Sequence, residues 1–164
     1  MPSPELNEEN AHSFNCGANR AMPLIQLIYT SCLVSSAPEV IAEIHQTAKL
    51  INKSRNITGM LLYANGGILQ VLEGDEADVS KTYLSIEADK RHTDIFLLSK
   101  NKISARNFAA WDMGFRQLTD TEYGDTLLDA DIFKADRNEI ENRVKPGAAL
   151  AMLVLFGHGI EVIN

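Results

Sequence analysis

Residues 57–74 constrain this chain most tightly. Two short apolar runs, Ile57-Thr58-Gly59-Met60-Leu61-Leu62-Tyr63 and Ile68-Leu69-Gln70-Val71-Leu72, flank Asn65-Gly66-Gly67, a turn whose residues accept positive φ without penalty. The stretch predicts a β-hairpin. Gln70 is its odd member, because an amide inside an apolar strand must find partners for two donors and two acceptor lone pairs or cost stability. It is either a surface position or a polar point set in a buried strand. Period alone leaves both readings open.

Around the hairpin the chain alternates between strand and helix patterns. Leu24-Ile25-Gln26-Leu27-Ile28-Tyr29-Thr30-Ser31 is an apolar run of strand length, expected at the centre of its sheet. Ser35 and Ser36 are candidate caps for a helix from Ala37 to about Asn52, with Val40, Ile41, Ile44, Ala48 and Ile51 on its buried face. A second helix is expected from Glu76 to about Lys90, with Val79, Tyr83, Leu84 and Ile86 as its stripe. Its acidic start suits the helix dipole. Thr93 to Ser99 reads as a fourth strand, and the alternation of Trp111, Met113 and Phe115 with Asp112, Gly114 and Arg116 as a fifth. The order β-α-β-β-α-β with an added strand is the split-βαβ, ferredoxin-like arrangement of the α+β class, with both helices on one face.

The 164 residues suit one domain of roughly 100–200 residues. A polar tail at 1–21 is expected to stand outside the fold, so that a start at Met22 would leave a complete domain at 22–118. Residues 119–164 change character and predict C-terminal helices, the last of them apolar through Ala148 to Phe156. Such a helix needs the open sheet face or a second subunit to cover it. The net charge of −7 is dispersed, which argues against a nucleic-acid-binding surface. No apolar run approaches the roughly 20 residues of a membrane span. Cys16 and Cys32 lack CxxC spacing and are expected to be reduced, in a cytoplasmic protein.

Signatures of common catalytic sites are missing: no GxGxxG after a strand, no P-loop, no GxSxG elbow and no HExxH. The four histidines lie apart and predict no metal site. What stands out is a set of polar and aromatic groups on inner elements: Tyr29, Ser31, Asn52, Gln70, Trp111 and Met113. First and third strands are central neighbours in a ferredoxin-like sheet, so Tyr29 and Gln70 can meet on the helix-covered face. A phenol beside an amide suits a hydrogen-bond relay. Each residue also has a plainer reading: Tyr29, Trp111 and Met113 as core, Asn52 as a left-handed helix C-cap, Asp89-Lys90-Arg91-His92 as a solvated helix end. For Glu73 the expected role is to satisfy a turn.

Tyr29-x-Ser31, Asn52-x4-Ile57-Thr58-Gly59, Leu69-Gln70-Val71-Leu72-Glu73-Gly74, Asp89-Lys90-Arg91-His92 and Arg106-x-Phe108-x2-Trp111-x-Met113 together resemble the BLUF family, blue-light sensors using FAD. The resemblance covers about Leu24 to Leu118. It implies a flavin held noncovalently between the two helices, FAD first and FMN as the alternative. Asn52 would bond its pyrimidine edge; Arg91, with Asp89 and His92, would help hold that edge and the chain leading away; Ile57 and Ile86 complete the binding set with Tyr29 and Gln70. Tyr29 would donate an electron and a proton, and the Gln70 amide would rearrange, by rotation or tautomer change. Trp111 or Met113 would carry the signal onward, and Ser31 joins the photoactive set. Ile51 stands where some members have Asn or His, and Ser85 where some have Arg, so those contacts are expected to be absent. With no output domain in view, the expectation is a non-enzymatic, short-form photoreceptor acting on a signalling partner or through its own oligomer. A flavin-dependent redox enzyme and a flavin-free interaction module are the competing functions.

Overall fold

A computed structural model of the chain describes residues 23–118. The expected N-terminal tail and C-terminal helices lie outside the described residues. The elements are β1 (Leu24–Leu33), α1 (Pro38–Ser54), β2 (Thr58–Ala64), β3 (Gly67–Asp75), α2 (Glu76–Glu87), β4 (His92–Lys102) and β5 (Gly114–Gln117). The sheet runs β4-β1-β3-β2-β5. Its pairs are antiparallel except β2 with β5, which is parallel. This is the ferredoxin-like α+β arrangement with a fifth strand on the β2 edge.

The hairpin turn is Asn65-Gly66, with φ of 49° and 87°, the double positive φ that lets a two-residue loop match strand twist. That turn fixes the β2–β3 register, with Leu61 opposite Gln70 and Tyr29 of β1 opposite Gln70 on the other side. Ile25, Leu27 and Tyr29 of β1, Leu61 and Tyr63 of β2, and Ile68 and Leu72 of β3 form one core with Ile41 and Ile44 of α1 and Val79 and Tyr83 of α2. Both helices therefore cover the same face, the one that carries Gln70. Residues of the opposite phase, including Gln26, Ile28, Leu69, Val71 and Glu73, are buried too.

Several local expectations need correcting. α1 is capped by Ala37 with no side-chain bond, and Pro38 opens its first turn, where a missing N–H costs nothing; Ser35 instead accepts the Ala37 N–H at 3.3 Å. α2 stops at Glu87, and Leu84 is 64% exposed, because the stripe through Val79, Tyr83 and Ile86 is narrow and Leu84 stands about 100° away from Tyr83. Asn52 lies within α1, not at a left-handed cap; Asn56, with φ 51°, takes that conformation. Trp111 and Met113 precede β5 and do not belong to it. Their carbonyls and that of Asp112 accept from Gly59 N–H at 3.1 Å, the His45 ring at 2.9 Å and Asn52 Nδ2 at 2.8 Å, so two of the three are bound by α1 side chains in place of a neighbouring strand.

Gly59 is the tightest point of this packing. A Cβ there would stand 2.1 Å from the Val71 carbonyl oxygen and 3.2 Å from Met113 Cε, and the first of these is backbone that cannot yield cheaply. Gly59→Ala should lower stability by about 1–3 kcal/mol, the usual cost of overpacking. Urea unfolding measures it, and a midpoint equal to that of the native chain would contradict the packing described.

Candidate functional site

A cleft opens between α1 and α2 above the sheet. Tyr29 and Gln70 lie at its floor, Ile44, Ala48, Ile51 and Asn52 come from α1, Thr82, Ser85 and Ile86 from α2, Asp89 and Arg91 from the turn after α2, and His92 from the start of β4. Most of the lining is apolar, with a few polar groups converging, the usual make-up of a small-molecule site.

Direct pairing of Tyr29 with Gln70 across β1 and β3 brings their side chains together. Tyr29 Oη donates to Gln70 Oε1 at 2.5 Å, and both residues are buried. Beside them, β1 changes its register with β4 between Ile28 and Tyr29, a local irregularity of the kind that re-aims a side chain. Gln70 Nε2 donates to Met113 Sδ at 3.6 Å. A thioether is a weak acceptor, so one side of the amide is held firmly and the other loosely. Burial pushes the Tyr29 phenol well above the ordinary tyrosine range, helped by the charges of Tyr83 and Asp89. Tyr29 is thus a protonated donor at neutral pH. Tyr83, set edge-on to it with ring centroids 5.4 Å apart, is pushed up to about 12, first by burial and then by Glu87.

Asn52 is 1% exposed. Its Nδ2 is spent on the Asp112 carbonyl at 2.8 Å, whereas Oδ1 is a buried acceptor with no partner. A buried polar atom of this kind costs free energy unless a ligand satisfies it. The imide N–H on the pyrimidine edge of a flavin is such a donor, and the apolar walls suit a ring system. Arg91 and Asp89 form a forked pair, with Nε at 3.0 and 3.1 Å from the two carboxylate oxygens and Nη2 at 2.6 Å. The hydrogen bond from Arg91 holds the Asp89 carboxyl below its usual range. This pairing fixes the guanidinium beside the cleft.

The structure gathers Tyr29, Asn52, Gln70, Ile86, Asp89, Arg91 and His92 around one cleft. Three expected residues stand apart. Ser31 contacts the His92 ring, Oγ to Nδ1 at 3.0 Å, rather than Tyr29 or Gln70. Ile57 is fully buried and packs with Gly74 as β2 begins, so it supports the core and does not line the cleft. Trp111 leans on Phe108, centroids 6.1 Å apart, and on Gly114; Met113, 3% exposed, is the residue of that pair beside Gln70. Ile51 and Ser85 do line the cleft, and Ser85 donates to the Lys81 carbonyl at 2.9 Å. His45 was not anticipated, although it precedes Asn52 by two helical turns and so shares its face. Arg55 was also missed: it reaches Thr82 Oγ1 at 2.8 Å and ties the end of α1 to α2. Among the described residues no cluster could hold a metal ion, and no helix is long and apolar enough to cross a membrane.

A family model described as BLUF, sensors of blue light using FAD, matches residues 24–114, a span that includes every cleft residue named above. The chain belongs to the BLUF family. It is 30% identical over 106 residues to photoactivated adenylate cyclase subunit beta of Euglena longa, covering 63% of this chain and 12% of that protein. The chain thus spans only a small part of such relatives. Among solved structures it is similar to BlrB, a BLUF protein in its dark state, with a TM-score of 0.61 and 25% identity over 79% of this chain and 98% of that one. Klebsiella pneumoniae BlrP1, solved with FMN and cyclic diGMP, gives 0.56 and 26% over 82% of this chain and 33% of that one. Blue-light sensing with FAD is therefore this BLUF domain's function class.

His92 gives the cleft a pH signature. Burial lowers its pKa below the ordinary 6.5, against a smaller raising effect of Asp89, so protonation favours the unfolded chain. The contribution to stability is complete above 6.5 and is lost as pH falls from there toward the depressed folded value. Melting curves from pH 8 to 5 should show the native chain losing stability relative to His92→Gln as acid is added. Parallel curves would contradict this assignment.

Proposed function

We propose that this BLUF domain works as a light switch without catalysis of its own, acting on a signalling partner or on its own assembly, with Tyr29 and Gln70 as the photoactive pair. The observation that carries the reading is the 2.5 Å bond from Tyr29 Oη to Gln70 Oε1 on the floor of a cleft whose one orphaned acceptor among the described side chains is Asn52 Oδ1. Asn52, Arg91, Asp89 and His92 would hold FAD there, or FMN. Bound flavin supplies absorption of blue light and, once excited, a strong pull on one electron and one proton.

Tyr29 is the oxidisable donor of the floor. Its phenol loses acidity through burial, which keeps the proton in place until the ring is oxidised, and oxidation makes that proton far more acidic. When Tyr29 no longer donates, Gln70 Oε1 has lost the bond that fixed its orientation. Among the described residues its Nε2 is held by the weak contact to Met113, so Oε1 and Nε2 can exchange places at small cost. Glutamine suits this because donor and acceptor share one tip; Glu or Leu could not exchange roles in the same space. An amide donor freed in this way can serve a flavin carbonyl and shift absorption to the red. Met113 feels the change directly.

The purified protein should be yellow, shift its flavin band to the red under blue light and recover in darkness. Tyr29→Phe and Gln70→Leu should each retain flavin and abolish the reversible shift; a normal photocycle in either would sink the mechanism. Bleaching that depends on NADH would point instead to a redox enzyme. Asn52→Ala should weaken flavin retention roughly tenfold, as expected for one buried hydrogen bond of about 1–2 kcal/mol. Cofactor content after gel filtration decides it, and unchanged content would remove Asn52 from the binding set.

A further inference from the structure

We infer that Glu73 is a positioning residue for the Gln70 switch: it latches the loop that brings Met113 against Gln70. The inference rests on the light-switch reading for its consequence and on independent geometry for the latch. Glu73 is 0% exposed, and its carboxylate plays no part in the cleft. It lies three positions beyond Gln70 on β3, hence on the opposite face of the sheet.

Four donors converge on it. Oε1 accepts from Gln26 Nε2 at 2.8 Å, Asn107 N at 3.1 Å and Asn107 Nδ2 at 3.2 Å, and Oε2 accepts from Phe108 N at 3.0 Å. An acceptor-only carboxylate is what such a set of donors needs. Arg106 adds a second hold, donating to the Glu73 carbonyl at 2.9 Å and to Thr58 Oγ1 at 3.0 Å.

The latched loop leads through Trp111 to Met113, which returns to Gln70 from the other side of the sheet. One strand therefore carries the switch on one face and the anchor of its partner on the other. Residues up to Phe108 are tied to β3 through Glu73. That tie sets where the loop leaves β3, and the bonds from Gly59, Asn52 and His45 to the carbonyls of Trp111, Asp112 and Met113 complete the placing of Met113 beside Gln70.

Substituting an amide for the carboxylate tests this. In Glu73→Gln the new NH₂ meets N–H donors, so at least one bond is lost while volume is kept. Trp111 is the single tryptophan of the chain and reports on the loop without flavin. Flavin-free Glu73→Gln should give a red-shifted Trp111 emission, more open to quenching by acrylamide, in a protein that still melts cooperatively. With flavin bound, dark recovery should slow by about tenfold, equivalent to about 1.4 kcal/mol. Met113→Ala should do the same, and the double variant should add nothing further, since both act on one contact. Native-like Trp111 emission and recovery, or effects of the two substitutions that simply add, would overturn the inference. Should Glu73→Gln fail to fold, Asn107→Ala removes one side-chain donor and must shift Trp111 emission in the same direction. If the native chain shows no photocycle, the light-switch reading fails, while the Trp111 measurement still decides the latch.

Discussion

A hydrogen bond between two buried side chains on neighbouring strands is the interaction the rest of this structure serves. Tyr29 and Gln70 meet at 2.5 Å in a place where neither can turn to water for a partner. In that setting a donor withdrawn on one side must be answered by rearrangement on the other, because an unpaired buried polar group costs of the order of 1–3 kcal/mol. The amide is poised between a strong partner and a weak one, a phenol and a thioether. That asymmetry suits a switch better than a brace.

The fold supplies what the bond needs. The Asn65-Gly66 turn sets the hairpin register, and the ferredoxin-like order makes β1 and β3 neighbours at the middle of the sheet. Slipping β3 by one residue would send Gln70 to the other face and bring Glu73 under the helices. The helices close over Gln70 with apolar residues but leave a cleft whose polar points are few. α1 contributes twice, since Asn52 presents one end of its amide as an unpaired acceptor and fastens Asp112 with the other. The cleft and the segment leading into β5 are thus joined through a single side chain.

Much of this was legible in the residues. Strand and helix periods, the turn chemistry and the neighbouring of β1 and β3 followed from pattern and topology, and the meeting of Tyr29 with Gln70 followed from those. What escaped was set by bonds between residues far apart in sequence. Trp111-x-Met113 alternates like a strand, yet side chains from α1 and a backbone N–H from β2 claim its carbonyls. Ser31 shares the period of Tyr29, but its partner is His92, 61 residues away. Ile57 sits inside a family motif for the sake of the core. Glu73 was expected to satisfy a turn; the donors it meets are those of a loop some 34 residues on, a satisfaction that no local signal reveals.

The central claim is that the Gln70 amide itself changes its bonding when light is absorbed. Infrared difference spectra, light minus dark, recorded on protein with ¹³C in its glutamine side-chain amides, address that amide directly. The account predicts a label-sensitive change in the amide carbonyl band that is present in the native chain and absent from Gln70→Leu. A reversible flavin red shift with no label-sensitive amide signal would contradict it.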